Sequence, residues 1–141
     1  MQKPDKVLPT KCHLFRFISN NFGSGHGFQL GYESSNVSAW SYSIGKCGGN
    51  MTTNKGILTS PSYPENYPSE QDCYYTISQP TEGYLRLKNL IFNLKASGTT
   101  CNYDYLEVRD GISEDSTLIG IFCGNYFPES LHTTKNQVWM K

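Results

Sequence analysis

The residues of this chain with the most definite chemistry are its five cysteines, Cys12, Cys47, Cys73, Cys101 and Cys123. Thiols ligate metal, attack electrophiles or pair as disulfides. No two cysteines here are separated by two residues, and there are only three histidines, His13, His26 and His132. The usual ligand spacing of a zinc site is therefore missing. Four cysteines fall in two similarly spaced couples, Cys47 with Cys73 and Cys101 with Cys123. Sequence alone leaves three pairings of four cysteines open.

Other residue types that carry chemistry point away from catalysis. A nucleophile needs a base beside it and a group that orients the base, and the histidines lie in no such motif. The stretch Gly23-Ser24-Gly25-His26-Gly27 is not a phosphate loop, because it lacks the Lys-Ser/Thr ending and no helix follows. It reads as a hairpin loop with His26 in solvent. Twelve basic residues balance twelve acidic ones. That balance excludes the basic footprint of nucleic-acid binding and gives no pull toward an anionic membrane. No apolar run approaches the ~20 residues that span a bilayer. Met1 to Thr10 is polar, without the apolar stretch of a secretion signal. Two sequons, at Asn36 and Asn50, are candidate glycosylation sites. Together with the spaced cysteines and Tyr-rich segments they indicate a chain that passes through a secretory compartment.

The elements that position these residues are strands. Aromatics make up 13% of the chain, including ten Tyr and seven Phe, and such side chains suit a pleated surface. Strands are expected at 14–18, 28–32, 56–60, 73–77, 84–88, 90–94, 103–109, 118–123 and 137–140, with Trp40, Tyr42 and Ile44 alternating near the end of a Ser/Asn-rich stretch at 33–46. Leu90 to Leu94 reads as a central, mostly apolar strand. Leu106 and Val108 are expected to be buried. Three prolines between Pro61 and Pro68 forbid a helix or a central strand there. Short strands punctuated by turn signals such as Asp110-Gly111 argue for an all-β sandwich or barrel.

At this point the chain resembles the CUB domain family. The resemblance rests on Cys47-Gly48-Gly49, Gly56-Ile57-Leu58-Thr59-Ser60-Pro61-Ser62-Tyr63-Pro64, Tyr67-Pro68, Cys73-Tyr74-Tyr75, Cys101-Asn102-Tyr103-Asp104-Tyr105-Leu106-Glu107-Val108-Arg109-Asp110-Gly111 and Phe122-Cys123-Gly124. It implies an antiparallel, jelly-roll-like β-sandwich with Cys47–Cys73 and Cys101–Cys123 bridges. It also implies that residues 47–141 form a module lacking its last strand or strands. Residues 14–32 resemble the closing strands of a preceding module, after an irregular leader at 1–13 and before a linker at 33–46. The closing strands are expected to fill the gap within one chain or in a neighbouring chain, as a strand-swapped oligomer. Cys12 has no partner in the family pattern.

The resemblance brings in calcium as the one candidate cofactor. Calcium takes several hard oxygen ligands. The family supplies them from a Glu before the third cysteine, an Asp after it and a last Asp in a loop, with a Tyr helping to hold the site. Here the first Asp is Asp104 and the Tyr is Tyr67. Lys95 stands at the Glu position, and Asn20 stands at the last Asp position of the preceding tail. Lys95 is therefore expected to neutralise Asp104 by a salt bridge in place of the ion. The functional expectation is a non-catalytic, extracellular or cell-surface module with protein ligands and neighbouring CUB domains as partners. One setting is a multi-CUB endocytic receptor, peripheral to the membrane, that takes up carrier-bound vitamin B12 and other protein ligands. The alternative is the interaction module of a secreted protease.

Overall fold

The computed structural model describes residues 11–34, 40–53, 55–79, 85–96, 98–111 and 114–133. Among them are ten strands and no helix: β1 (Lys11–Ile18), β2 (Gly27–Ser34), β3 (Trp40–Gly45), β4 (Gly49–Met51), β5 (Lys55–Pro61), β6 (Asp72–Gln79), β7 (Leu85–Asn93), β8 (Tyr105–Asp110), β9 (Thr117–Phe122) and β10 (Ser130–His132). They form two five-stranded sheets, in the orders β4-β6-β1-β8-β9 and β10-β7-β2-β5-β3. Most pairs are antiparallel, while β3 with β5 and β4 with β6 are parallel.

Alternation along the strands builds the core between the sheets. In β1, Phe15 and Phe17 point inward; in β2, Phe28, Leu30 and Tyr32 do so. Tyr75 and Ile77 of β6, Leu85 and Leu87 of β7, and Leu106 and Val108 of β8 meet them, all fully buried. The Phe17 ring stands edge-on to Phe28 at 5.4 Å and to Tyr67 at 4.8 Å. Such pairs add about 0.5–1.5 kcal/mol each beyond their buried area.

Of the three strands outside the family-like region, β3 lies at a sheet edge and β1 and β2 lie at the centres of the two sheets. β1 runs between β6 and β8, and β2 between β5 and β7, all antiparallel and in unbroken register except for one shift between β2 and β7. Within the stretch read as a linker, β2 continues to Ser34 and β3 occupies Trp40–Gly45. The parallel ladder on β5 orders a Ser-rich segment whose composition alone suggests a loop. β1 likewise begins at Lys11, inside the stretch read as a leader. The strand expected at 137–140 and the sequon at Asn36 lie outside the described residues.

Two further expectations change. The two strands expected at 84–88 and 90–94 are replaced over Leu85–Asn93 by one strand, β7, with a bulge that leaves Leu90 unpaired: Ile91 faces Gln29 while Asn89 faces Leu30. The bulge turns Leu90 and Ile91 to solvent, so this stretch is not the buried centre its apolar run suggests. The Gly-rich segment after β1 is not a hairpin loop, because it crosses from one sheet to the other.

Both disulfides implied by the family resemblance are formed, with Cα atoms 4.9 Å apart for Cys47–Cys73 and 5.5 Å for Cys101–Cys123. Closing loops of this length stabilises the fold by about 3.5 kcal/mol each on the chain-entropy model.

Candidate functional site

Three connections converge at one end of the sandwich: the crossing from β1 to β2, the Pro-rich loop from β5 to β6, and the segments flanking Cys101. The Pro-rich loop delivers Tyr67, whose ring is buried against Phe17. The turn before β8 delivers Asp104, which is completely buried. Tyr67 Oη donates a hydrogen bond to Asp104 Oδ2 at 2.7 Å and accepts one from Lys95 N–H at 2.9 Å. Asn20 N–H donates to the other oxygen, Asp104 Oδ1, at 2.9 Å. Burial pushes the Tyr67 phenol well above its ordinary value, and the neighbouring Asp104 carboxylate adds to the shift. A hydroxyl that donates to a carboxylate resists losing its proton.

The β1–β2 crossing is clamped to the same loop. Ser19 Oγ donates to Pro68 O at 2.8 Å and accepts from Gln71 N–H at 2.9 Å, and Glu70 N–H donates to Asn20 O at 3.0 Å. Gly25 is required by close approach: a Cβ there would sit 2.9 Å from Asn93 O and 3.0 Å from Tyr67 Oη. The glycines of this segment let the crossing lie against the Tyr67–Asp104 pair.

Lys95 does not neutralise Asp104. Its ammonium lies over the Tyr103 ring, 5.7 Å from the centroid, beside Gly23. Burying an ammonium next to Asp104 would cost several kcal/mol of desolvation. Held at the rim over an aromatic face, the charge keeps its water and gains a cation–π contact. Hydrogen bonds from Tyr67 and Asn20 hold the Asp104 carboxylate instead.

The same geometry tests the calcium set. Among the described residues Asp104 is the one carboxylate of this cluster, both its oxygens already accept hydrogen bonds, and Lys95 occupies the flank. Asn20 contributes a backbone N–H, while its side-chain Oδ1 accepts from Phe22 N–H at 2.9 Å. Among the described residues no three His, Cys, Asp or Glu side chains gather to hold a metal. The residues present do not fit a calcium ion.

Sequence reading singled out Tyr67, Lys95 and Asp104, which the structure brings together. It did not find the clamp made by Ser19 and Gln71, because main-chain bonds between distant loops leave no pattern in residue types. Asn50 is exposed on β4, with Oδ1 accepting from Thr76 Oγ1 at 2.7 Å. Cys12 stands opposite Ser78 in the β1–β6 ladder. Around the buried centre, Phe22, Tyr103 and Tyr126 are exposed aromatics. Of the histidines, His26 is exposed, and His132 Nε2 lies 3.4 Å from Ser130 Oγ on the surface of β10. Such a long contact between exposed neighbours of one strand is no activated nucleophile.

The molecule is a two-sheet sandwich with two disulfides, of the kind that forms in oxidising compartments, and its loop end is tied around a buried Tyr–Asp pair. More particularly, the family model described as CUB domain matches residues 47–141, and the chain belongs to the CUB domain family. CUB domains are non-catalytic interaction modules. The chain is 34% identical over 139 residues to Tolloid-like protein 2 of Mus musculus, covering 98% of this chain and 12% of that protein. It is 32% identical over 139 residues to Bone morphogenetic protein 1 of Xenopus laevis, covering 98% of this chain and 18% of that protein. It is 34% identical over 126 residues to Cubilin of Rattus norvegicus, covering 89% of this chain and 3% of that protein. The chain thus spans a small part of each relative. No solved structure gave a significant match.

Proposed function

We propose that this chain is a protein-ligand-binding module of a multi-CUB endocytic receptor of the cubilin kind, at the cell surface and in the endocytic pathway. Its ligands there are carrier-bound vitamin B12 and other proteins, with neighbouring CUB domains as structural partners. The observation that carries the reading is the satisfied Asp104 at the loop end. With both carboxylate oxygens bonded, this end is a rigid base for exposed Phe22, Tyr103 and the Lys95 ammonium. Aromatic and cationic side chains on a rigid base are common anchors of protein contacts. In this reading β1 and β2 derive from the end of a preceding CUB domain, and Asn50 carries a glycan.

A second reading, the interaction module of a secreted tolloid-like protease, is favoured by one observation. The match to Tolloid-like protein 2 extends over 98% of this chain, against 89% for rat Cubilin.

Surface plasmon resonance on the immobilised, oxidised chain separates the two. The cobalamin–carrier complex should bind, free cobalamin should not, and Tyr103→Ser should weaken binding about tenfold. Binding to a tolloid-like protease alone would transfer the assignment to the second reading. No binding to either, by a chain that still melts cooperatively, would defeat both.

A further inference from the structure

The outer face of the second sheet carries a depression of about 150 Å³, lined by Gly31, Gly56, Ile57 and Leu90, with Glu33 and Lys88 at its rim. Its centre is Gly31, in the middle of β2. Ladder register aligns Tyr42 of β3, Ile57 of β5, Gly31 of β2 and Lys88 of β7 in one row across this face.

Neither conformation nor packing demands a glycine at position 31. Its φ lies outside the left-handed region, and a Cβ would meet nothing closer than Leu90 Cδ1 at 3.6 Å. Gly56 is different, since a Cβ there would lie 2.4 Å from Ser41 O and from the Tyr32 ring. A glycine inside a strand weakens it, and such positions often mark the close approach of another molecule. Here the missing side chain opens the depression. The β7 bulge builds its wall, by turning Leu90 outward beside Gly31. Two local departures from regular strand chemistry thus produce one cavity. Leu90 is 49% exposed, Ile91 43% and Tyr42 59%, which makes the surroundings apolar.

One edge of the depression is cationic. Glu33 Oε1 lies 3.5 Å from Arg86 Nη1 and 3.4 Å from Lys88 Nζ, and Lys55 stands directly opposite Glu33 in the β2–β5 ladder. Two cations hold one carboxylate, a third cationic residue faces it across the ladder, and the covered Arg86 Nε finds no acceptor. We infer that this depression is a docking site for a protein segment that inserts one apolar side chain while its flanking carboxylates meet Lys88, Arg86 and Lys55. The inference rests on the reading of the chain as a protein-binding module, and it assigns the partner's chemistry at a face away from the Tyr67–Asp104 end.

The test is an amide-resolved NMR titration of the oxidised chain with a blocked peptide bearing one phenylalanine between aspartates. Saturable shifts are expected at Gly31, Gly56, Ile57 and Leu90. Replacing the peptide's phenylalanine by serine, or its aspartates by lysines, should weaken binding about tenfold or more, an energy difference of about 1.4 kcal/mol. Gly31→Leu should abolish the shifts and keep a cooperative melt, and Lys88→Glu should weaken binding about tenfold. No shifts at these residues up to millimolar peptide would overturn the site. So would equal binding of the lysine peptide, unchanged binding by Gly31→Leu, or a concentration-dependent dimer abolished by Gly31→Leu, which would make a second copy the occupant. Loss of the peptide site with carrier binding intact removes this inference alone, whereas a folded chain that binds neither removes the parent reading too.

Discussion

Tyr67 and Asp104, 37 residues apart, form a buried hydrogen bond of 2.7 Å in which the phenol donates to the carboxylate. The pair closes one end of the sandwich, because the same phenol accepts from Lys95 and the same carboxylate accepts from Asn20. Three connections distant in sequence depend on it.

Tyr67→Phe removes the donor to Asp104 Oδ2 and the acceptor for Lys95 N–H with little change of shape. A buried polar group left without its partner costs about 1–3 kcal/mol. Urea unfolding should show that loss with an unchanged slope. A loss below about 0.5 kcal/mol would mean that water replaces the phenol.

The alkaline limb of stability should belong to buried tyrosines. Burial raises the phenols of Tyr67, Tyr75 and Tyr32, with the Asp104 carboxylate adding at Tyr67. In the unfolded chain these phenols ionise near pH 10. A raised folded value favours the neutral form, so the associated stability is fully present below about pH 10 and falls as pH rises above it. Ultraviolet difference titration should show the buried phenols of Tyr67, Tyr75 and Tyr32 ionising well above pH 10, together with unfolding. Simultaneous ionisation of all the tyrosines in a folded chain would contradict this.

Millimolar calcium should leave the thermal midpoint where chelator leaves it. Among the described residues Asp104 is the lone carboxylate of its cluster, and its oxygens are engaged. An increase of several degrees with calcium would mean that Asp104 releases a present partner to an ion.

Phe17→Ala should cost about 3–5 kcal/mol, the range for a large buried aromatic. Phe17 is fully buried between Phe28 and Tyr67, so β1 is part of the core. Chemical denaturation measures it. A cost near zero would mean that β1 is dispensable to the fold.

The Arg16–Asp72 pair should matter much less despite its geometry. Arg16 Nε and Nη2 each lie 2.8 Å from a carboxylate oxygen, and the guanidinium also stacks over Tyr74 at 5.1 Å. The Asp72 side chain is 48% exposed, so solvent screens the attraction. Asp72→Asn should cost no more than about 1 kcal/mol, and less at high salt.

Much of this was legible in residue types. Strict alternation marked β8 and its buried Leu106 and Val108. The Cys47 and Cys101 motifs carried the family, and through it the disulfides. The three-residue strands β4 and β10 were too short to show a period. The bulge at Leu90 was hidden because an apolar run looks the same whether it is buried or turned outward by one unpaired residue.

By itself the sequence determined the class of fold, because alternation and turn residues are local properties, and its cysteine motifs carried the resemblance that implied the bridges. Only the tertiary structure decided that β1 and β2 occupy the centres of both sheets, that Lys95 rests on Tyr103 and not on Asp104, and that Gly31 and Leu90 together shape a depression. Those outcomes depend on ladder register and on the cost of burying charge. Both are set by which distant segments meet, and no local pattern encodes that meeting.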